Sequence, residues 1–247
     1  MNINKNDDEK ITKKTGYTNP VILDDVDLTL FFDKSDITES IKNNKKLMIT
    51  NKGIYSITKY DDAQWITDCI VDTISPMTAI NLNKVEIDKA KKKILYGYNI
   101  IDSTACVGGN TINFAKYFFN VISIELNKIH FDVLKNNINA IKCNNVLIYE
   151  GNFLEVIKDK NIKSDIIFID PPWGGFQYKI HKYFNLKLGN LPINDVIKDL
   201  LTSFQYVVLK APININLNIL KDEITFYKMN IYKNIKNNLL LLIFKNN

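Results

Sequence analysis

The sequence predicts an α/β protein, with a doubly wound, mostly parallel sheet that ends in an antiparallel β-hairpin and is preceded by a small α-helical N-terminal extension. Two observations lead there. From Asn99 onward, short apolar runs alternate with longer amphipathic stretches, the order expected when parallel strands are joined by crossover helices. The final two apolar runs, about 222–231 and 237–244, are separated only by a short Lys/Asn-rich connection, which suits a hairpin and is too short for another crossover helix.

Residues 1–14 are polar, lysine-rich and without apolar periodicity, and read as a flexible tail. Residues 15–75 read as a mainly helical extension. Within it Trp65, Cys69 and Ile70 stand at helical spacing, so a helix is expected over 62–71, after a short extended piece at Ile54–Ile57 and before the break at Pro76. Residues 76–247 form the main domain. Its first element is a solvated helix over 84–96, where charges surround Val85, Ile87 and Ile94. Strands follow at 99–102, 120–125, 145–149, 165–169 and 205–210, with helices at about 110–118, 127–141 and 193–203. Asn, Asp or Ser near most helix starts can serve as caps. The order is that of five βα units and then a hairpin.

At 247 residues, 46% hydrophobic and 24% charged, the chain can bury one substantial core, which excludes wholesale disorder. The longest apolar run, Leu239–Phe244, is far short of the roughly 20 residues a membrane-spanning helix needs. The N-terminus has no apolar segment of the kind found in signal peptides, so an intracellular protein is expected, with neither nuclear nor cytoplasmic placement indicated. Cys69, Cys106 and Cys143 are far apart and form no Cys-x-x-Cys pair, which suggests reduced thiols and no metal site. Thirty-two basic residues against 27 acids give a net charge of +5, and every basic residue is lysine. Phosphate contacts must therefore come from lysine or backbone N–H groups, since no guanidinium is present.

Three motifs on successive strand ends describe a nucleoside pocket without a diphosphate. The strand ending at Asp102 runs through Ala105, Gly108 and Gly109 into a helix, and glycines there let the backbone pass close beside a ligand. The Gly-x-Gly-x-x-Gly spacing of dinucleotide-binding proteins is missing. Glu125 ends the next strand, where an acid can accept both hydroxyls of a ribose. Asn152 and Phe153 follow the third strand, a polar side chain and an aromatic suited to the edge and face of an adenine. Singly, each has an ordinary structural explanation as a turn, an exposed acid or a core aromatic. Their order on successive strands makes the case.

The sharpest motif is Asp170-Pro171-Pro172-Trp173-Gly174-Gly175, directly after the strand at 165–169. The prolines stop the strand and fix the Asp170 and Pro171 carbonyls, while the glycines turn the chain away. An exocyclic amine is a poor nucleophile, so an enzyme that alkylates one gains by aiming fixed acceptors at its N–H groups. Asp170 and Pro171 are the candidates. Trp173 adds an indole face, a good platform for a base and better still for a cationic one.

At these residues the sequence resembles the RNA cap guanine-N2 methyltransferases, the trimethylguanosine synthase family. The family shares a motif like Cys106-Val107-Gly108-Gly109-Asn110-Thr111-Ile112 with Phe114-Ala115, and a Pro-Pro-Trp-Gly-Gly segment like 171–175. Gly53-Ile54-Tyr55-Ser56-Ile57-Thr58 is similar to the family's segment ahead of its core, and the likeness runs from about Gly53 to Phe244. The resemblance implies a class I S-adenosylmethionine (SAM) methyltransferase fold that adds methyl groups to N2 of 7-methylguanosine-capped RNA; in-line transfer from a sulfonium needs no metal, and a monomer without a membrane segment is expected. The resemblance places Asp102, Ala105, Gly108 and Gly109 on the methionine side of SAM, Glu125 on its ribose, and Asn152 and Phe153 on its adenine. Asp170, Pro171 and Trp173 would be the catalytic group, with Trp173 stacked on 7-methylguanine. Tyr55, Ser56 and Thr58 would close the substrate pocket, and Lys46 and Lys210 would replace the family's arginine at the cap phosphates.

Two positions depart from the family pattern. Asp170 stands where a small residue such as Ser is usual, and Asn152 where Asp is common. The first is shared with the wider amino-methyltransferases, so an N2-guanine or N6-adenine methyltransferase acting inside rRNA, tRNA or DNA is the competing reading. A non-catalytic RNA-binding subunit is the reading from another class, and the intact Gly108, Gly109 and Asp170 count against it.

Overall fold

A computed structural model of the chain describes residues 22–24, 26–76, 83–224 and 227–246, with Phe176 and Gln177 as backbone only. The tail expected over 1–14 lies outside the described residues. In the extension, strands β1 (Ile22–Leu23) and β2 (Ile49–Thr50) pair antiparallel around helix α1 (Lys34–Lys42), which Asp33 caps by accepting from Ser35 N at 2.7 Å. Residues Gly53–Ser56 are a single helical turn, α2, and not the extended piece expected there. The cause is local, because the Thr50 hydroxyl accepts from Gly53 N at 2.7 Å and Ile57 N then closes onto Gly53 O at 2.7 Å. Helix α3 (Tyr60–Ile74) contains the expected 62–71 and ends before Pro76. Helix α4 (Lys84–Leu95) begins in a capping box between Asn83 and Glu86.

The main sheet follows. Its strands are β3 (Asn99–Asp102), β4 (Asn120–Glu125), β5 (Val146–Glu150) and β6 (Ile166–Ile169). Between them run helices α5 (Gly109–Ala115), α6 (Lys128–Ile141) and α7 (Phe153–Asp159). Next come the two-residue strands β7 (Lys187–Leu188) and β8 (Leu191–Pro192), paired with each other, and then helix α8 (Ile193–Leu200), strand β9 (Tyr206–Pro212) and helix α9 (Leu217–Glu223). The hairpin is β10 (Lys228–Asn234) with β11 (Leu239–Lys245).

Seven strands form one sheet in the order β10-β11-β9-β6-β3-β4-β5. All pairs from β9 to β5 are parallel, and β11 lies antiparallel between β9 and β10. The expected doubly wound sheet with a terminal hairpin is therefore present, with two local corrections. Helix α7 was not expected, because it is short and its Asn152 cap reads as a turn. The hairpin's first strand begins at Lys228 rather than near 222, because α9 occupies the residues before it and buries Leu220.

Alternating strand residues feed two apolar layers. Ile101, Ile124, Ile167, Ile169, Val207 and Leu209 pack with α8, whereas Ile100, Val121, Ile166, Phe168 and Val208 pack with Ile66 and Ile70 of α3 and Phe114 of α5. Both faces of the parallel strands are covered, which is why β6 is apolar at every position. A third cluster joins Phe32, Leu47 and Ile49 of the extension to Val107 and to Leu134 of α6. The extension thus packs against the glycine turn after β3, and that places it at the site.

Candidate active site

The strand order reverses between β3 and β6, and the carboxyl ends of strands at such a point are where doubly wound sheets take ligands. Asp102 ends β3 and Asp170 follows β6. Asp102 is fully buried, its Oδ2 accepts from the Thr111 hydroxyl at 2.6 Å, and its Oδ1 has no partner. Burial pushes its carboxyl up to about 7, with the Thr111 hydrogen bond opposing and the nearby Asp170 and Glu125 charges adding to the rise.

The turn after Asp102 is stitched to both neighbouring strands. Ala105 N donates to Ile124 O at 3.0 Å, and the Thr104 hydroxyl accepts from Asp170 N at 2.7 Å. Gly108, at φ +103°, needs its freedom for the left-handed turn into α5. Gly109 is glycine for another reason, since a Cβ there would stand 2.6 Å from Thr58 O and 2.7 Å from Ile57 Cγ1. The extension, not a ligand, makes this close approach. Gly109→Ala is accordingly expected to cost about 1–3 kcal/mol of stability by overpacking and to slow methyl transfer by displacing Thr58. Thermal unfolding together with a transfer assay checks this, and an unshifted melting temperature would mean that 57–58 does not sit on Gly109.

At the end of β4 the Glu125 carboxylate accepts from Cys106 N at 2.8 Å and Asn127 N at 2.7 Å, and His130 Nδ1 lies 3.9 Å away. Burial raises its pKa while the backbone N–H groups oppose the rise. After β5, Asn152 caps α7 by accepting from Leu154 N at 3.1 Å. Phe153, expected against an adenine, is instead 4% exposed in the cluster with Ile101 and Ile124, because α7 turns it into the core. Leu126, directly after Glu125, is 71% exposed and is the apolar side chain presented at this rim.

The second half of the site is a buried polar cluster drawn from four segments. Lys210 Nζ donates to Asp170 Oδ2 at 2.7 Å and to the Thr58 hydroxyl at 2.9 Å. Thr58 also accepts from Asn110 Nδ2 at 2.8 Å and donates to Asp170 Oδ2 at 3.3 Å. Burial pushes the Asp170 carboxyl up, and the Lys210 ammonium pulls it back down. Trp173 is half-buried beside this cluster. Lys210 Nζ lies 5.7 Å from its ring centroid, and Tyr178 meets it edge-on at 5.3 Å. Its indole Nε1 and Asn110 Oδ1 are buried without a partner. Gly174 and Gly175 have φ of +76° and +66°, so the chain does turn away there as expected.

Of the residues expected around a substrate, Thr58, Asp170, Pro171, Trp173 and Lys210 come together. Lys210 is not available for the phosphate role, because its charge is buried against Asp170. Lys46 donates to Asp24 O at 3.4 Å and its carbonyl accepts from Asn136 of α6, contacts outside the Asp170 cluster. Tyr55 and Ser56 are exposed on α2. Asn110 and Thr104 join the site without having been expected there. A cavity of about 370 Å³ between Phe184, Ile193, Ile215 and Leu220 shares no lining residue with this cluster. Among the described residues no group of three or more His, Cys, Asp or Glu is placed to hold a metal, and no helix is long and apolar enough to cross a membrane.

Residues 97–244 match the family described as RNA cap guanine-N2 methyltransferase. Uncharacterized protein L320 of Acanthamoeba polyphaga mimivirus is 34% identical over 194 residues, which are 75% of this chain and 74% of that one. The chain belongs to the RNA cap guanine-N2 methyltransferase family. It is a SAM-dependent methyltransferase of the class I fold. The trimethylguanosine synthase of Schizosaccharomyces pombe is 29% identical over 163 residues, covering 63% of this chain and 66% of the yeast protein. In fold, the chain is like the T. thermophilus 16S rRNA N2 G1207 methyltransferase solved with AdoMet and guanosine (TM-score 0.50, 10% identity), with 75% of this methyltransferase and 43% of that chain covered.

The residues at the β3 and β4 ends fit the cofactor. A buried carboxylate oxygen without a partner suits its ammonium group, the left-handed turn at Gly108 brings backbone close, and the Glu125 carboxylate is at hand for ribose hydroxyls. SAM supplies a methyl group carried on a sulfonium.

Proposed function

We propose that this methyltransferase acts on N2 of the 7-methylguanosine cap of RNA, giving the dimethyl and then the trimethyl cap. The observation that carries the reading is the indole of Trp173 beside the Asp170 carboxylate at the β6 end. An indole face discriminates the cationic 7-methylated ring from neutral guanine, and a fixed carboxylate beside it addresses the exocyclic amine.

Asp102, Ala105 and the Gly108 turn take the methionine end of the cofactor, Glu125 the ribose, and Asn152 with Leu126 the adenine. Lys210 and Thr58 both bind Asp170 on Oδ2. Oδ1 takes neither of these bonds, and together with the Pro171 carbonyl it accepts from the N2–H groups. Bound SAM would supply the methyl group, and the Asp170 carboxylate would take the proton that N2 gives up. Most of the rate comes from alignment rather than from a strong base.

The Asp-Pro-Pro start supports a second reading, methylation of an internal guanine N2 or adenine N6. The deciding experiment is transfer from labelled SAM to 7-methylguanosine triphosphate beside GTP, with products resolved by mass. Selective mono- or dimethylation of the 7-methylated nucleotide is expected. SAM binding without transfer to either nucleotide would favour the internal target, to be tried next on polynucleotides.

A further inference from the structure

The chain between Asp170 and Asp195 contains no acid, and it carries Lys179, Lys182 and Lys187 together with Trp173, Tyr178, Tyr183 and Phe184. In a protein with 27 acids this is a gap along the chain, and the acids the fold brings nearest its C-terminal end are Asp195 and Glu223, which share a cavity lining with Lys187. The structure sorts the segment into two layers, with Lys187 exposed on β7 beyond them. Tyr178 joins Trp173 edge-on and reaches Phe184 at a centroid distance of 6.1 Å, forming an inner aromatic row. Lys179, Ile180, Lys182 and Tyr183 form the exposed outer layer, with Ile180 77% and Tyr183 59% exposed.

The segment is a built platform. Asn214, just past β9, donates from Nδ2 to both Tyr178 O and His181 O at 2.8 Å, and its carbonyl accepts from Phe184 N at 2.8 Å. Asn216 N then donates to Phe184 O at 2.9 Å. Lys182 Nζ sits 5.4 Å over the Tyr183 ring, so charge and aromatic face are presented together.

We infer that residues 178–187 form a track for the single-stranded RNA that leaves the cap pocket, with Lys179, Lys182 and Lys187 on phosphates and Tyr183 under a base. The inference rests on the cap reading for where the strand begins. A lysine groove that follows a backbone, interleaved with an aromatic on which any base can stack, is the general solution for binding single strands without sequence preference. The partner's chemistry is thus a short polyanion carrying planar bases.

The test compares wild type with the combined Lys179→Ala, Lys182→Ala, Lys187→Ala variant and with Tyr183→Ala. Substrates are 7-methylguanosine triphosphate and a capped ten-nucleotide RNA, and the same RNA without a cap is followed by fluorescence anisotropy. The triple variant is expected to raise KM for capped RNA about ten-fold or more and to lower the slope of log affinity against log salt by about 2, with KM for the free nucleotide unchanged. Tyr183→Ala should weaken the RNA several-fold with no change in salt slope. An RNA KM that does not move, or an equal shift for nucleotide and RNA, overturns the track. So does equal loss of binding to polyglutamate, which has the charge without the bases. If wild type leaves the 7-methylated nucleotide untouched, the cap reading fails on its own. The uncapped RNA then decides the track, supported if the triple variant loses binding and overturned if it does not.

Discussion

Asp102→Asn is expected to weaken SAM about 30- to 100-fold while making the unliganded protein more stable at pH 8. Both effects come from one buried oxygen. Oδ1 makes no hydrogen bond comparable to the one Oδ2 accepts from Thr111, so in the ionised form it carries a desolvated charge that a bound cation would meet. Because the folded pKa, about 7, lies above the ordinary 3.8, the folded chain holds this proton more tightly than the unfolded one. Its contribution to stability is therefore greatest below about pH 4, declines up to about pH 7 and stays low above that, a loss of at most about 4 kcal/mol. The asparagine keeps an acceptor for Thr111 and removes the charge. Thermal unfolding of wild type and variant at pH 5 and pH 8 isolates the effect of this carboxyl, since Glu125 and Asp170 are common to both. In wild type, SAM affinity measured by calorimetry should rise between pH 6 and pH 8. Undiminished SAM affinity in a folded Asp102→Asn protein would remove the carboxylate from the cofactor pocket.

Trp173→Ala is expected to weaken 7-methylguanosine nucleotides about 30-fold or more and to change SAM affinity by less than about two-fold. Tyr178 fixes the ring edge-on, so the stacking face is held before substrate arrives. The Lys210 ammonium, 5.7 Å from the same ring, would repel a cationic base were it not offset by Asp170 at 2.7 Å. A Trp173→Phe variant should recover most of the affinity for the nucleotide. Equal losses for nucleotide and SAM would show that the residue is structural.

Much of this architecture was legible because parallel strands buried on both faces are apolar runs, and those at 99–102, 120–125 and 165–169 lie within a residue of β3, β4 and β6. Asp102, Glu125 and Asp170 were legible as acids at strand ends. What escaped was whatever depended on partners distant in sequence. The turn at Gly53–Ser56 is set by the Thr50 hydroxyl, and no periodicity reports that. Gly109 looked like a ligand's glycine, but the atoms that forbid a side chain there belong to residues 57 and 58. Lys210, expected at the cap phosphates, is instead carried by the fold to Asp170, 40 positions away. Phe153 reads from sequence as an adenine's aromatic, whereas α7 turns its side chain into the core with Ile101 and Ile124.

The position of β11 governs when this protein can begin to exist as a folded body during synthesis. It enters between β9 and β10, and its side chains complete both layers, Leu240, Leu242 and Phe244 on one face and Leu241 and Ile243 on the other. Until those residues have emerged from the ribosome, the inner edge of β9, apolar at Val207, Val208 and Leu209, has no neighbour on that side. At synthesis rates of about 5–20 residues per second, nascent chains spend seconds with that edge open to a second strand, their own or another chain's.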